Sequence, residues 1–318
     1  MNSHRMQALG SLLIVGLAVT VASCSSDGSG ETAASDDALQ IVVTPVVDAA
    51  PLYLAQQEGI FEEHGLEVEL SVGQGATGVT EALQTGDADL AMMSYVNLFS
   101  GRVNGLPVKI VSPITVSAAE EAGIYTAPGS GIKELSDLEG KKFGTPAPGS
   151  VAELTVRAAL DTVALDASSY ELVQVPLPNL VSAVESGQVD YTAMFSPFTL
   201  QAEDAGLVRI YDAFSGDTAD FPSAAVVASE DWIDGSEDVQ EAFRDALTEA
   251  VELANSDENA VREILPEYTG LSPEAAATVS IPTFVAELPD EEIQRVPDLM
   301  AQFGMLPDAT DVSTAVAW

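Results

Sequence analysis

The chain has 318 residues, of which 50 are acidic and 11 are basic, and its formal net charge is −39 at pH 7. This charge excludes nucleic-acid binding, which depends on Lys and Arg side chains that neutralise phosphates. A single cysteine excludes an internal disulfide, and a content of 47% hydrophobic residues excludes a disordered chain. The fold must therefore be stabilised by packing. The length of the chain suggests about two domains.

The first 23 residues have the pattern of a secretory signal peptide. Arg5 precedes an apolar run, Ala8–Ala22, which is shorter than the ~18 apolar residues of a membrane-spanning helix. Val21-Ala22-Ser23-Cys24 resembles the lipobox of bacterial lipoproteins. That resemblance implies removal of residues 1–23 and lipidation of Cys24. The alternative is an ordinary cleaved signal that leaves Cys24 as a free thiol.

Residues 24–38 are polar and rich in Ser and Gly, which predicts a flexible tether. From Leu39 onward the pattern alternates between short strands and helices. Strands are predicted at 39–44, 66–72, 89–93, 108–112, 123–127, 142–145, 170–176, 190–195, 208–212 and 224–229. Helices are predicted at 50–58, 61–64, 77–84, 151–163, 179–186 and 239–254. This alternation predicts an α/β fold with mainly parallel sheets.

One internal repeat relates two parts of the chain. Residues 82–93 and 183–194 both read as a helix end, a glycine, two further residues, an aspartate and a strand. Gly86 and Gly187 are expected to end the helices in the left-handed conformation. Because the two copies lie on either side of Gly129-Ser130-Gly131, the repeat predicts two similar lobes, although any α/β turn can look alike.

Several segments resemble the extracytoplasmic solute-binding proteins of ABC importers, in the branch for sulfonates, taurine, nitrate and thiamine-pyrimidine precursors. They are Ala50–Glu69, Gly131–Gly144, Pro148–Ser150 and Phe195–Phe198, in the family's order. The resemblance implies a periplasmic-binding-protein-like type II α/β fold, with two lobes, a ligand cleft and hinge closure. Lobe 1 would comprise 39–127 plus 223–318 and lobe 2 would comprise 128–222, with 123–127 and 224–229 as crossover strands.

Loops after the carboxyl ends of strands form ligand sites in open α/β sheets. The loops concerned are 44–49, 73–77, 94–97, 112–117, 146–150 and 195–198. The candidate ligand-binding residues are Asp48, Gln74, Gly75, Ser94, Tyr95, Ser117, Gly149, Ser150, Phe195 and Ser196.

Each candidate also has a purely structural interpretation. Ser150 and Glu153 predict a capping box, while the N–H groups of that loop could instead grip an anionic group. Asp48 could cap the helix at Ala50 or face a ligand amine. Gly75 and its neighbours could merely form a turn. Tyr95, like Phe195 and Phe198, could stack on a planar ligand or belong to the core.

The candidate loops contain no Lys or Arg, so an anion would depend on helix termini and hydroxyls, and a neutral or amine-bearing ligand is equally compatible. Family members often have Glu where this chain has Ser196, so the resemblance does not indicate one ligand. The enzyme branch of the family uses a histidine and a cysteine cluster. His4 lies in the signal and His64 at a predicted helix end, so neither a catalytic pair nor a metal site is expected.

The sequence therefore predicts a lipid-anchored extracytoplasmic receptor that passes a small solute to an ABC permease and its ATPase. The solute would be a small organic molecule or oxyanion: a sulfonate, nitrate, taurine or a pyrimidine-like compound. We expect no cofactor, no metal, no nucleic acid and a monomer. The alternatives are a ligand-sensing lipoprotein without a transporter and a pyrimidine-biosynthesis-type enzyme of the same fold.

Overall fold

A computed structural model describes residues 38–73, 75–308 and 310–318. The predicted signal peptide, the lipidation site Cys24 and almost all of the tether lie outside the described residues, as does the candidate ligand residue Gln74. No helix within the described part of the chain is long and apolar enough to cross a membrane.

The described residues form two sheets, of which the larger has six strands. Its strands are β1 (Leu39–Val43), β2 (Val68–Val72), β3 (Leu90–Ser94), β4 (Val108–Val116), β10 (Pro222–Ser229) and β11 (Thr283–Phe284), in the order β11-β4-β10-β3-β1-β2. The smaller sheet has five: β5 (Ala122–Thr126), β6 (Lys141–Thr145), β7 (Tyr170–Gln174), β8 (Tyr191–Phe195) and β9 (Val208–Asp212), in the order β7-β6-β8-β5-β9. Residues 117–121 lead from β4 to β5, and residues 213–221 return from β9 to β10.

Helices connect and cover the strands. They are α1 (Ala50–Gln57), α2 (Ile60–Glu63), α3 (Gly75–Thr85), α4 (Tyr95–Val103), α5 (Val151–Asp161), α6 (Leu180–Glu185), α7 (Phe198–Asp204), α8 (Glu230–Ile233), α9 (Glu237–Ser256), α10 (Glu258–Thr269), α11 (Pro273–Ala276) and α12 (Asp290–Gln302). The sequence pattern did not predict α4 and α7, because Ser94–Asn97 and Phe195–Phe198 were interpreted as loops. It also placed a loop at 112–117, where β4 in fact continues to Val116.

The expectation of mainly parallel sheets is wrong. β1 pairs in parallel with β2 and β3, and β6 pairs in parallel with β7 and β8. β10 is antiparallel to β3 and β4, β11 is antiparallel to β4, and β5 is antiparallel to β8 and β9. The chain reaches both β5 and β10 through a connection that comes from the other sheet. Neither strand is therefore preceded by a crossover helix from a strand of its own sheet, which is the connection that makes neighbouring strands parallel.

The internal repeat corresponds to a repeated structure. In both copies a helix (α3 or α6) ends near a glycine and leads into a strand (β3 or β8) that pairs with the first parallel strand of its sheet. Gly86 has φ +77° and Gly187 has φ +72°, the left-handed conformation predicted for them.

The aspartates of the two copies make the same pair of hydrogen bonds. Asp89 Oδ2 accepts from the Gln40 N–H at 2.8 Å, and the Asp89 N–H donates to the Gln40 carbonyl at 2.9 Å. Asp190 Oδ2 accepts from the Lys142 N–H at 2.8 Å, and the Asp190 N–H donates to the Lys142 carbonyl at 2.9 Å. Each aspartate therefore fastens the start of its strand to the neighbouring parallel strand.

Alternating side chains of the six-stranded sheet pack against two different helical layers. On one face Ile41, Met92 and Val226 join α1, α9 and α10. On the other face Ala91 and Val227 join a core that continues through α4 and α12 into the five-stranded sheet. Because this second core is continuous, the two sheets bury apolar surface together.

Candidate functional site

A groove of about 870 Å³ lies between elements that belong to the two sheets. Its lining residues are Thr77, Thr80, Glu81, Gln84, Asn97, Ser100, Val103, Asn104, Pro148, Gly149, Met305, Leu306 and Pro307. We call it the inter-sheet groove. Three of the predicted loops, 73–77, 94–97 and 146–150, contribute to it, and α3 and α4 face the turn that follows β6.

The polar lining of the inter-sheet groove consists mainly of hydroxyl and amide groups. Asn97 and Ser100 extend from α4 and Thr77 from the first turns of α3, while Glu81 supplies one carboxylate. No Lys or Arg is among the residues that line this groove. Apart from Glu81, the groups that could hold a ligand here are neutral hydrogen-bonding groups, as expected from the sequence of the loops.

The predicted capping box at α5 is wrong. Ser150 occupies the N-cap position without a side-chain cap, and its Oγ lies 3.2 Å from Thr145 Oγ1. Glu153 reaches back to Gly149 instead, and Glu153 Oε2 accepts from the Gly149 N–H at 2.7 Å. Glu153 is buried because Arg157 on the next turn neutralises it, with Nη2 at 2.5 Å from Oε1. The Gly149 N–H is thus occupied by Glu153 and is not available to a ligand.

The end of β3 differs from its predicted role. Ser94 Oγ accepts from the Asn97 N–H at 3.2 Å and caps α4, and Asn97 in the first turn of this helix lines the groove. Tyr95 is fully buried in the core, not on an open cleft wall, and its hydroxyl has no hydrogen-bond partner within the described structure. Burial raises the pKa of Tyr95 far above its ordinary value.

Gly75 begins α3 and is exposed, with φ +69°.

Asp48 does not cap α1. It is buried, and its Oδ1 accepts from Thr115 Oγ1 on β4 at 2.6 Å, while α1 begins without a side-chain cap. Burial raises the pKa of Asp48 above its ordinary value of 3.8, and the hydrogen bonds from Thr115 and Ser223 act in the opposite direction. The carboxylate therefore lies across the carboxyl ends of β1 and β4.

A second buried acid, Glu121, was not among the predicted site residues. It lies in the connection between β4 and β5, and its Oε2 accepts from the Ala118 N–H at 2.9 Å. Burial and the negative charges of Asp48 and Asp212 hold the pKa of Glu121 well above its ordinary value of 4.5. An acid directly before an apolar strand was the available sequence signal, but acids are too frequent here for it to stand out.

Neither Asp48 nor Glu121 forms an ion pair within the described residues. Burial and the negative charge of Asp48 raise the pKa of Tyr268. The buried hydroxyl of Tyr268 has no hydrogen-bond partner among the described residues. The Tyr268 ring stacks on Tyr53 with 3.9 Å between centroids. This region thus combines two buried acids with an aromatic pair, and Arg209 donates to the carbonyls of Glu120 and Ala122 on either side of Glu121.

Ser196 links the two sheets. Its Oγ donates to the Ser280 carbonyl at 2.9 Å, and its N–H donates to the Glu121 carbonyl at 2.9 Å. It is followed by a cis peptide bond to Pro197. The preceding residue, Phe195, is half-buried and packs edge-to-face against Phe214 at 5.5 Å.

Ser117 joins the two connections between the sheets. The Ser117 N–H donates to the Phe221 carbonyl, and the Phe221 N–H donates to Ser117 Oγ, both at 2.9 Å. Ser117 is buried, and these bonds use its N–H and its hydroxyl oxygen. Ser117 and Ser196 therefore lie at the junction of the sheets, whereas Gly149 and the α4 cap lie at the inter-sheet groove.

Within the described ranges, no group of three or more His, Cys, Asp or Glu residues could hold a metal ion. His64, at the end of α2, pairs with Glu249 at 3.0 Å and is not among the groove residues. The site offers hydroxyls, amides and buried carboxylates, which can orient a small polar molecule.

A family model described as NMT1/THI5 like matches residues 47–260. The chain is 21% identical to the binding protein YtlA of Bacillus subtilis strain 168, over 65% of the chain and 63% of YtlA. It is 24% identical to the 4-amino-5-hydroxymethyl-2-methylpyrimidine phosphate synthase of Uromyces fabae, over 58% of the chain and 56% of that enzyme. The chain thus matches less than two thirds of the length of either relative.

A solved structure with the same fold is that of the alkanesulfonate-binding protein SsuA of Xanthomonas axonopodis pv. citri, bound to MOPS. The superposition has a TM-score of 0.73 at 20% sequence identity and covers 90% of this chain and 99% of that one. The architecture is therefore that of the periplasmic binding proteins, and at this identity the likeness concerns the fold alone.

Proposed function

Because the chain belongs to the NMT1/THI5-like family, we propose that it is an extracytoplasmic solute-binding protein that delivers a small solute to an ABC permease and its ATPase. The observation that carries this proposal is the inter-sheet groove, to which elements of both sheets contribute polar side chains. A small molecule bound there would contact both halves of the protein at once. The proposed lobes are 39–127 plus 223–318 and 128–222. The division of strands between the two sheets agrees with them except at β5, which the proposal assigns to the first lobe although it pairs with β8 and β9 in the smaller sheet.

The proposed ligand is a small organic solute or oxyanion: a sulfonate, nitrate, taurine or a pyrimidine-like compound. Within this set the structure favours ligands that bring their own N–H donors, namely taurine and pyrimidine-like compounds. The groove lacks Lys and Arg, and Glu81 supplies it with a carboxylate acceptor. A bare oxyanion would meet only hydroxyl and amide donors here.

We propose that Cys24 carries a lipid that holds the protein outside the cytoplasm on a bacterial cell membrane. The support is the order of Arg5, the apolar run and Val21-Ala22-Ser23-Cys24. A charge of −39 would repel an anionic membrane surface, so the lipid would have to provide the attachment. Cys24→Ala should move the protein from the membrane fraction to the soluble fraction without changing ligand affinity. Loss of affinity on release would contradict this role.

Two alternatives remain distinct from an importer component. A sensing lipoprotein would bind the same kind of solute without a permease, and neighbouring permease and ATPase genes would decide against it. A pyrimidine-biosynthesis-type enzyme is favoured by the match to the Uromyces fabae synthase. Against it, His64 is engaged by Glu249 away from the groove, and Cys24 is the single cysteine of the chain. We therefore propose that the protein is not an enzyme.

The decisive experiment is a thermal-shift panel on the purified protein, followed by calorimetric titration. The panel contains taurine, an alkanesulfonate, nitrate and a 4-aminopyrimidine. A true ligand at a hundredfold excess over Kd should add about 2.7 kcal/mol to the free energy of unfolding. Asn97→Ala should weaken binding about tenfold through loss of one groove amide, equivalent to about 1.4 kcal/mol.

Asn179→Ala is the matched control, because Asn179 is exposed and does not line the groove. Equal affinities of the Asn97 and Asn179 variants would place the ligand elsewhere. No stabilisation by any compound, together with turnover of a pyrimidine substrate, would replace the binding-protein proposal by the enzyme alternative.

A further inference from the structure

A second cavity, of about 590 Å³, lies at the edge of the six-stranded sheet. Its lining residues are Val111, Pro113, Arg244, Ala286, Glu287, Leu288, Pro289 and Trp318. We call it the edge cavity. It shares no lining residue with the inter-sheet groove, so whatever binds in one does not need the other.

The edge cavity exists because β4 is covered at its two ends by different parts of the chain. Toward its carboxyl end, β11 pairs with β4, and the Val285 N–H donates to the Ile114 carbonyl at 2.9 Å. Toward its amino end, Val316 forms a parallel bridge with Ile110. Val111 and Pro113 lie between these two coverings and form the floor of the cavity.

Arg244, on α9, enters this cavity without a partner. Its Nη1 is shielded from solvent and has no hydrogen-bond acceptor within the described structure. The other described arginines each donate to at least one acceptor, although Arg102 Nε is also shielded and unpartnered; they are Arg102, Arg157, Arg209, Arg262 and Arg295. A shielded guanidinium nitrogen without an acceptor costs free energy, and with 50 acidic residues in the chain an internal partner would be easy to supply.

Glu287 lines the same cavity but forms no ion pair with Arg244 within 4.0 Å in the described residues. The remaining walls are apolar or aromatic. Val111, Pro113 and Leu288 supply aliphatic surface, and the half-exposed indole of Trp318 stands at the side. The cavity thus combines one cationic fork and the carboxylate of Glu287 with a body of apolar surface.

We infer that the edge cavity binds a small monocarboxylate with an apolar or aromatic body. The planar guanidinium of Arg244, which lines the cavity and has no ion pair within the described residues, matches a carboxylate. The apolar part of the ligand lies on Val111 and Pro113, and Trp318 covers it from the side. This site is independent of the solute proposed for the inter-sheet groove.

Trp318 provides a direct reporter, because Trp232 is the other tryptophan in the chain. In a Trp232→Phe background, phenylacetate and hexanoate are titrated while tryptophan fluorescence is recorded, with phenylacetamide and hexanamide as neutral counterparts. Each acid should bind at least about tenfold more tightly than its amide. Arg244→Gln should abolish that preference and leave the weak amide binding unchanged. Lys133→Gln, an equal loss of charge at an exposed position, should change neither.

The thermal stability of the unliganded variants separates the proposal from an internal ion pair. Arg244→Gln removes an unsatisfied donor, so its Tm should equal or exceed that of the parent protein. If Arg244→Gln and Glu287→Gln instead lower Tm equally, Glu287 is the partner and the proposal is wrong. Equal affinities for acid and amide in the parent protein would also overturn it. Comparison of the affinities for phenylacetate and hexanoate shows whether the cavity walls prefer an aromatic or an aliphatic ligand.

Discussion

The two copies of the repeated unit share their construction and differ in the residues that come after the strand. In both, an aspartate joins the strand to its parallel neighbour through two hydrogen bonds: its carboxylate accepts from a backbone N–H at 2.8 Å, and its own N–H donates to a backbone carbonyl at 2.9 Å. After β3, Ser94 caps α4 and the chain turns directly into a helix beside the inter-sheet groove. After β8, Ser196 instead bonds to Ser280 and to the connection at Glu121. The carboxyl end of β3 thus contributes to the inter-sheet groove, and the carboxyl end of β8 contributes to the contact between the sheets.

The interior of the two units differs as well. In register, Val42 of β1 lies beside Ala91, whereas Gly144 of β6 lies beside Thr192. The Thr192 hydroxyl donates to the Gly144 carbonyl at 2.8 Å, and Val189 closes over the space where a Cβ of Gly144 would lie. The backbone geometry is therefore shared by the two copies while the packing is not interchangeable.

The largest expected effect comes from copying the first unit into the second. Gly144→Val should lower the free energy of unfolding by about 3 kcal/mol through overpacking. Its Cβ would lie 2.9 Å from Val189 Cγ2 and 3.2 Å from Leu180 Cδ2. Urea unfolding measures the change. Gly235→Val is the control, since its Cβ meets nothing nearer than 4.0 Å, and equal losses in the two variants would show that packing is not the cause.

The next effect tests the shared part of the comparison. Asp89→Ala and Asp190→Ala each leave a backbone N–H without its carboxylate acceptor, so each should cost about 2 kcal/mol. The exposed Asp161 serves as the control, and Asp161→Ala should be nearly neutral. A large cost for one repeat aspartate and none for the other would show that the two units are not energetically equivalent.

These units also show how far the sequence could be read. The repeat, the glycine ends and most strand positions were predictable, because propensity and hydrophobic alternation act within a few residues. The last residues of β4 and the short strand β11 were not predicted. The strand directions were not, since they depend on which sheet the chain has come from. Glu153 illustrates the same limit at the site: its spacing from Ser150 predicted a cap, but Arg157 and Gly149 engage it instead.

A smaller effect concerns the buried acids at the junction. Asp48 and Glu121 have raised pKa values in the folded chain, so they hold protons that the unfolded chain has already released. Their contribution to stability is complete below their ordinary pKa values of 3.8 and 4.5 and is lost as pH rises through the folded pKa values. Asp212 interacts electrostatically with Glu121, and Tyr268 with Asp48. Neither Asp212 nor Tyr268 is substituted in the variant described next.

The double variant Asp48→Asn, Glu121→Gln should therefore gain stability relative to the parent protein as pH rises from about 4 to about 8. Urea unfolding across this range measures the difference at each pH. A difference that stays constant, or shrinks, with rising pH would contradict the assignment of raised pKa values to this pair.

The smallest effects separate the two strand ends. Ser94→Ala removes an N-cap and should cost about 1 kcal/mol, with faster hydrogen exchange confined to α4. Ser196→Ala removes one hydrogen bond to Ser280 and should also cost about 1 kcal/mol, but with faster exchange on both sides of the junction. Identical exchange patterns would mean that the two strand ends do not differ in role.

The paired hydrogen bonds of Ser117 and Phe221 fasten the two sheet-to-sheet connections to each other. A single flexible link would let one half swivel about any axis. Two connections that are hydrogen-bonded to each other act as a hinge with mainly one axis. They resist twisting and sliding of the two halves and permit mainly bending. Each approach of the halves then brings the same side chains into register, so little of the binding free energy is spent on selecting among relative orientations.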